Sequence, residues 1–243
     1  MPIILSIEGN IGSGKSTLIK YLQNNYLNNY LNNSLNNYLN NSLNNSLNNS
    51  LNNPLKIYFL PEPVAIWESI TDNQGINIIE KYYANQSKYA FSFQMMAYIS
   101  RLSLLRDALN RDFDIIITER SIYTDKMVFA KMLHDDGKIE AIEYKIYNMW
   151  FDEFICDIPK IYVIYVKTNP KTAFNRVLNR SRQGETIPLE YLEHCHNYHE
   201  KWLDEYPADS IVTIDGNKDV SNADDVVLLS WIHTIHEWIQ TLQ

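Results

Sequence analysis

The chain has 243 residues, 45% of them hydrophobic, with 21 Lys and Arg against 29 Asp and Glu. That length holds one large α/β domain or two small ones, and the apolar share is ample for a core. The formal charge of −8 excludes the basic stripe of a nucleic-acid surface and argues against binding to anionic membranes.

Residues 3–7 are an apolar, β-branched run that predicts a buried strand. Gly9, Asn10, Ile11, Gly12, Ser13, Gly14, Lys15 and Ser16 follow, matching G-x-x-x-x-G-K-[ST] without a gap, and Thr17 opens a helix-spaced apolar pattern. Strand, glycine-rich turn and helix start form a phosphate cradle: backbone N–H groups turn onto the anion and the helix end adds partial positive charge. Lys15 is placed to reach the β- and γ-phosphates and Ser16 to ligate Mg²⁺. A nucleotide is the expected ligand, against the bland alternative of a glycine-rich turn before an ordinary helix.

Residues 27–54 repeat Leu-Asn-Asn-Tyr/Ser. A four-residue period drifts by about 40° per unit on a 3.6-residue helix, so the leucines cannot form one buried stripe. The stretch is expected to be a low-complexity insert within a single 1–243 domain. Strands are predicted at 56–60, 114–118, 161–166 and 211–214. A long helix is predicted at about 87–111, with Phe91, Met95, Tyr98, Leu102 and Leu105 on one face. A second starts near Lys138, with Ile139, Ile142, Ile146 and Met149. The last carries Leu228, Trp231, Ile235, Trp238 and Leu242 toward the core. His194, His196 and His199 read as a solvated helix face, and Cys156 and Cys195 as reduced thiols without C-x-x-C spacing. No signal peptide or apolar span is visible, so a cytoplasmic protein is expected.

Short apolar strands alternating with helices predict an α/β fold, a five-stranded parallel sheet flanked by helices. Ligands bind such sheets at the carboxyl ends of the strands, where the glycine-rich loop, Glu62, Glu119, Arg120 and Asp215 all fall. Glu62 lies between two prolines that limit where its carboxylate points; it is either a base near the γ-phosphate or a solvated loop acid. Glu119 is a second acid able to hold Mg²⁺. Arg176, Arg180 and Arg182 read as an arginine-bearing lid or as a basic helix face.

These residues carry a resemblance to the deoxyribonucleoside kinases, closest to the deoxycytidine/deoxyguanosine/deoxyadenosine kinase branch. The matching pieces are GNIGSGKST at 9–17, LPEPVAIW at 60–67, FSFQ at 91–94, ERSIYTDKMVF at 119–129 and RVLNRSRQGE at 176–185, with IPLEYL and HEKWL beyond. The resemblance implies a P-loop kinase fold, ATP as phosphate donor, Mg²⁺, a deoxyribonucleoside acceptor and a homodimer built on the helices near 87–111 and 138–155. It implies that Glu62 accepts the 5′-hydroxyl proton beside Arg120, and that Arg176, Arg180 and Arg182 meet the phosphates. It implies that Tyr83 and Glu185 hold the sugar 3′-hydroxyl and that Gln94 reads the base edge. Trp67, Phe93 and Phe129 would sandwich the base, and Asp215 would frame the adenine. The lid at 182–185 is shorter than in some relatives, which weakens the assignment of Glu185.

Ala97, Arg101 and Asp125 resemble the set of that branch. An ionised Asp125 held by Arg101 only accepts hydrogen bonds, so it suits an amino group or ring N–H and opposes the O4 carbonyl of thymine. A structural ion pair between neighbouring helices is the alternative. Deoxycytidine, deoxyadenosine and deoxyguanosine are expected ahead of thymidine, with no choice among the three. The rival functions are a deoxynucleoside monophosphate kinase, which the Pro-Glu-Pro segment disfavours, and a non-catalytic relative.

Overall fold

The computed structural model describes residues 1–23, 56–180, 187–220 and 226–242. The Leu-Asn-Asn repeat, Arg182 and Glu185 lie outside them. Five parallel strands stand in the order β2-β3-β1-β4-β5: β1 Ile3–Glu8, β2 Ile57–Leu60, β3 Ile115–Glu119, β4 Ile161–Lys167 and β5 Ile211–Asp215. All five predicted strands are present, each within a residue or two of its expected span.

Both faces of the sheet are covered, which is why its strands read as near-continuous apolar runs. On one face Leu5, Ile7, Ile117, Ile164 and Val166 pack against α1 (Lys15–Tyr21) and α9 (Val226–Thr241). Leu228, Trp231 and Ile235 of α9 are buried there, as their spacing predicts. On the other face Ile4 and Ile116 meet Leu105 and Ala108 of the long helix α4 (Gln86–Leu109). Each fully buried Leu or Ile contributes roughly 1.5–3 kcal/mol.

Before α4 come two short helices, α2 (Val64–Ser69) and α3 (Ile78–Ala84). The break between α3 and α4 falls at Asn85, whose side chain accepts from the Lys88 backbone N–H and starts the new helix. After β3, α5 opens as Ile122–Thr124, widens into a π-helical turn at Asp125–Ala130 and closes as Lys131–Asp135. The helices α6 (Ala141–Phe154), α7 (Pro170–Arg180) and α8 (Leu189–Asp204) complete the helical shell.

The apolar stripe of α6 faces outward: Ile142 is 65% exposed and Met149 71%, while Tyr147, Phe151 and, before the helix begins, Ile139 are buried. One helix face differs from expectation. On α8, His199 is fully buried rather than solvated, in line with Leu192, Cys195 and Trp202. Its Nδ1 lies 2.7 Å from the Cys195 carbonyl oxygen, and burial pushes its pKa down to about 3.

Candidate active site

The phosphate loop links β1 to α1 with backbone that only glycine adopts freely. Gly12 has φ +79°, and a Cβ there would strike the Ala173 carbonyl oxygen; Gly9 has φ +142°, with the Val166 carbonyl oxygen 2.7 Å from a Cβ position. Asn10 serves the scaffold: its Nδ2 donates to the Leu192 carbonyl oxygen at 2.8 Å, tying the loop to α8. Lys15 is buried, and its Nζ donates to the carbonyl oxygens of Gly9 at 2.9 Å and Asn10 at 2.6 Å. Burial and the nearby Arg120 lower its pKa to about 7. Ser16 Oγ donates to Glu119 Oε1 at 2.6 Å, joining the two residues expected at the metal.

The register explains why distant residues converge. Leu60 pairs with Thr118, and Ile7 with Glu119. Glu62, two residues past β2, therefore stands beside the turn that ends β3. Arg120 Nη1 donates to Glu62 Oε1 at 2.9 Å and Arg101 Nη2 to the same oxygen at 3.1 Å. Burial alone would raise the Glu62 pKa; Arg120, Arg101 and Lys15 overcome it and hold the carboxyl down to about 2. Glu62 is thus a side chain held in ion pairs, not a solvated loop acid. Arg120 has φ +62°, the one positive φ outside glycine among the described residues. Such a backbone costs on the order of 1–3 kcal/mol and persists where its surroundings over-determine it.

Arg101 also grips Asp125, its Nε donating to Oδ2 at 3.0 Å, while its Nη1 donates to the Glu119 carbonyl oxygen at 2.7 Å. One guanidinium thus serves two carboxylates with opposite outcomes. Burial pushes the Asp125 pKa up to about 6, and Arg101 offsets only part of that rise. Around this hub Trp67 meets Phe93 edge-on, with centroids 5.6 Å apart, and the Arg101 guanidinium lies 5.9 Å from the Trp67 ring. Arg120 lies 5.4 Å from the Phe129 ring. Gln94 is buried, its Oε1 without a hydrogen-bond partner among the described residues. Ala97 and Tyr83 line the same space.

These groups share one cleft of about 1110 Å³, which runs past Lys15 to Arg176, Arg180, Lys218 and Val220. That exceeds the roughly 300–1,000 Å³ of a small-molecule site and leaves room for two ligands. At the far end Arg176 is committed to main chain: Nη1 donates to the carbonyl oxygens of Gly216 at 2.8 Å and Ser13 at 3.3 Å, and Nη2 to that of Lys218 at 3.0 Å. Its Nε donates to Asp219 Oδ1 at 2.8 Å. Asp215 is not among the lining residues. Its carboxylate folds onto its own loop, accepting from the Asn217 N–H at 3.0 Å and Nδ2 at 2.7 Å.

Sequence reasoning missed four contributors, Tyr82, Tyr191, Ser100 and Glu8. Tyr82 stacks on Phe93 at 4.5 Å, and its hydroxyl lies 3.1 Å from that of Tyr191, so the pair backs the aromatic wall. The Trp67 indole N–H donates to Ser100 Oγ at 2.9 Å, fixing the ring. Glu8 is fully buried at the end of β1. Tyr191 and Glu8 both sit inside or beside recognised motifs, which was the available signal.

Among the described residues no helix is long and apolar enough to cross a membrane. A fowlpox virus protein named as a probable deoxycytidine kinase is 37% identical across 83% of this chain and 72% of its own length. The deoxycytidine kinase of Bos taurus is 29% identical across 98% of this chain and 91% of its own. The mitochondrial thymidine kinase 2 of Homo sapiens is 28% identical across 82% and 64%. A model of the deoxynucleoside kinase family matches residues 5–227. With that match over most of its length, the chain belongs to the deoxynucleoside kinase family.

Proposed function

We propose that the chain transfers the γ-phosphoryl group of ATP to the 5′-hydroxyl of a deoxyribonucleoside, favouring deoxycytidine, deoxyadenosine or deoxyguanosine over thymidine. The observation that carries this reading is the Glu62 carboxylate, pinned by Arg120 and Arg101 beside the phosphate loop. Glu62 accepts the hydroxyl proton as the oxygen forms its bond to phosphorus and the bond to ADP breaks. A carboxylate with a pKa of about 2 is a weak base. Phosphoryl transfer tolerates this, because its loose transition state asks for little nucleophilic push and the proton leaves late. Arg120 stabilises charge on the transferring group, and Lys15 does the same after turning from its carbonyl partners to phosphate.

Ser16 Oγ and the Glu119 carboxylate are paired hard oxygen donors beside the loop, which suits Mg²⁺. Few protein ligands are needed, since Mg²⁺ takes its other ligands from phosphates and water. Bound there, the ion would neutralise charge on the β- and γ-oxygens.

The relatives include both deoxycytidine and thymidine kinases, so the selectivity reading rests on the chemistry of Arg101 and Asp125 alone. Asp125 accepts from a base amino group, Gln94 offers an unengaged amide oxygen, and Arg101 keeps Asp125 largely ionised at neutral pH. The test is ATP-dependent phosphorylation of deoxycytidine, deoxyadenosine, deoxyguanosine, thymidine and their 5′-monophosphates. Turnover of one of the first three, weak use of thymidine, and a loss of about 10²–10⁴-fold in kcat for Glu62→Gln are expected. Activity confined to monophosphates, or full turnover by Glu62→Gln, overturns the reading.

A further inference from the structure

Glu8 is buried to 0% exposure, and three neutral donors converge on its carboxylate. Ser6 Oγ donates to Oε1 at 2.6 Å, the Ser121 backbone N–H to the same oxygen at 2.8 Å, and Thr124 Oγ1 to Oε2. Burying a carboxylate is costly even when it is hydrogen-bonded. A neutral Ser or Asn would satisfy a helix start just as well. What the carboxylate adds is its position. It is the residue before the phosphate loop, and two of its three donors lie just past β3.

Backbone ties to β1 hold the strained residue of the site. The Arg120 N–H donates to the Ile7 carbonyl oxygen at 3.1 Å, and the next N–H along the chain, that of Ser121, donates to Glu8. The left-handed backbone of Arg120 is therefore held on both sides by the last two residues of β1. Thr124 fixes the first turn of α5, which goes on to carry Asp125 and Phe129. The negative charge also favours the charged forms of Arg120 and Lys15.

We propose that Glu8 is a positioning residue for the transfer reaction: its carboxylate locks the 119–121 turn to the phosphate loop, so that Arg120 is aimed at Glu62 and the transferring group. It touches no reacting atom. This role rests on the proposed chemistry of Glu62 and Arg120.

The experiment compares the wild type with Glu8→Gln, Thr124→Val and Ser6→Ala, measuring kcat, both KM values and Tm, with assays run below each Tm. Glu8→Gln should lower kcat tenfold or more while both KM values stay within threefold, because binding groups remain and only the aim of Arg120 is lost. Thr124→Val should lower kcat by a smaller factor. Ser6→Ala removes the donor that lies on β1 itself and leaves both ties across to Ser121 and Thr124, so it should lower Tm with kcat within twofold. A Glu8→Gln enzyme with kcat within threefold of the wild type overturns the role, as does a kcat loss that Ser6→Ala matches. Should Glu8→Gln fail to fold, an unchanged kcat in Thr124→Val overturns it. Wild-type turnover with a dead Glu62→Gln and a fully active Glu8→Gln removes only the positioning role. A wild type that phosphorylates no nucleoside removes the reading beneath it.

Discussion

Arg101 and Arg176 line one cleft but are tied down by different chemistry. Arg101 is buried and divides its donors between two carboxylates, Glu62 and Asp125, and the Glu119 carbonyl. Arg176 is partly exposed and spends most of its donors on main-chain carbonyls of Ser13, Gly216 and Lys218. The end of the cleft at Glu62, the acceptor side in the proposed reaction, is thus held by ion pairs, whereas the end at Arg176 is held mainly by backbone carbonyls, with Asp219 as its one carboxylate. Charge changes should hurt the first most, and changes in guanidinium shape the second.

The sharpest way to break this comparison is to remove the two cations in turn. Arg101→Met strands the buried Asp125 and leaves Glu62 to Arg120 alone, and breaking a buried pair costs about 3–5 kcal/mol. Thermal unfolding should show Tm lower by on the order of 10 °C, with nucleoside phosphorylation nearly abolished. A Tm loss no greater than that of Arg176→Met would erase the distinction. Arg176→Lys keeps the charge and loses the planar fan of donors. Steady-state kinetics should show the KM for ATP raised by about tenfold, on the order of 1.4 kcal/mol, with the nucleoside KM unchanged. A rise in the nucleoside KM instead would place Arg176 on the acceptor side.

The smallest effect concerns pH. Glu62 and Asp125 share Arg101, yet the first is held down to about 2 and the second pushed up to about 6. Of these two, only Asp125 takes up a proton between about pH 7.5 and 5.5. Because its folded pKa is raised, its contribution to stability is fullest at low pH and is lost as pH rises through about 6. Protonated, it gains an O–H donor and stops opposing a carbonyl on the base. The ratio of kcat/KM for the preferred nucleoside to that for thymidine should therefore fall by about threefold at pH 5.5. Lys15, with its pKa near 7, affects both substrates alike and cancels in the ratio. A ratio constant across that range would detach Asp125 from base choice.

The parts of the site that are readable in the chain are those written contiguously. The glycine loop, Pro-Glu-Pro and Glu-Arg-Ser each set local backbone, and the parallel register of β1, β2 and β3 then brings them together. Side-chain commitments across the fold are less visible. Nothing local says that Arg176 will be taken up by carbonyls, or that the Asp215 carboxylate will fold onto Asn217. His199 was readable, since it continues the buried spacing of Leu192 and Cys195, but a polar residue type masks its place in a stripe. The α6 stripe shows the limit of spacing from the opposite direction. Ile142, Ile146 and Met149 have the spacing of a core face, and periodicity alone cannot say whether an apolar face meets the core or the outside.

The π-helical turn Asp125–Ala130 gives this wall of the cleft a second way to vary. A π turn fits one residue more into the span than an α-helix does, and Asp125 and Phe129 both reach the cleft from within it. Deleting a single residue between them would relax the turn to α geometry and rotate one relative to the other by about 100°. Either the acid or the ring would leave the cleft, with every remaining side chain intact. On the proposed reading of Asp125 and Phe129, chain length at this turn joins side-chain identity in setting base choice, so one-residue insertions and deletions here would alter it as substitutions do.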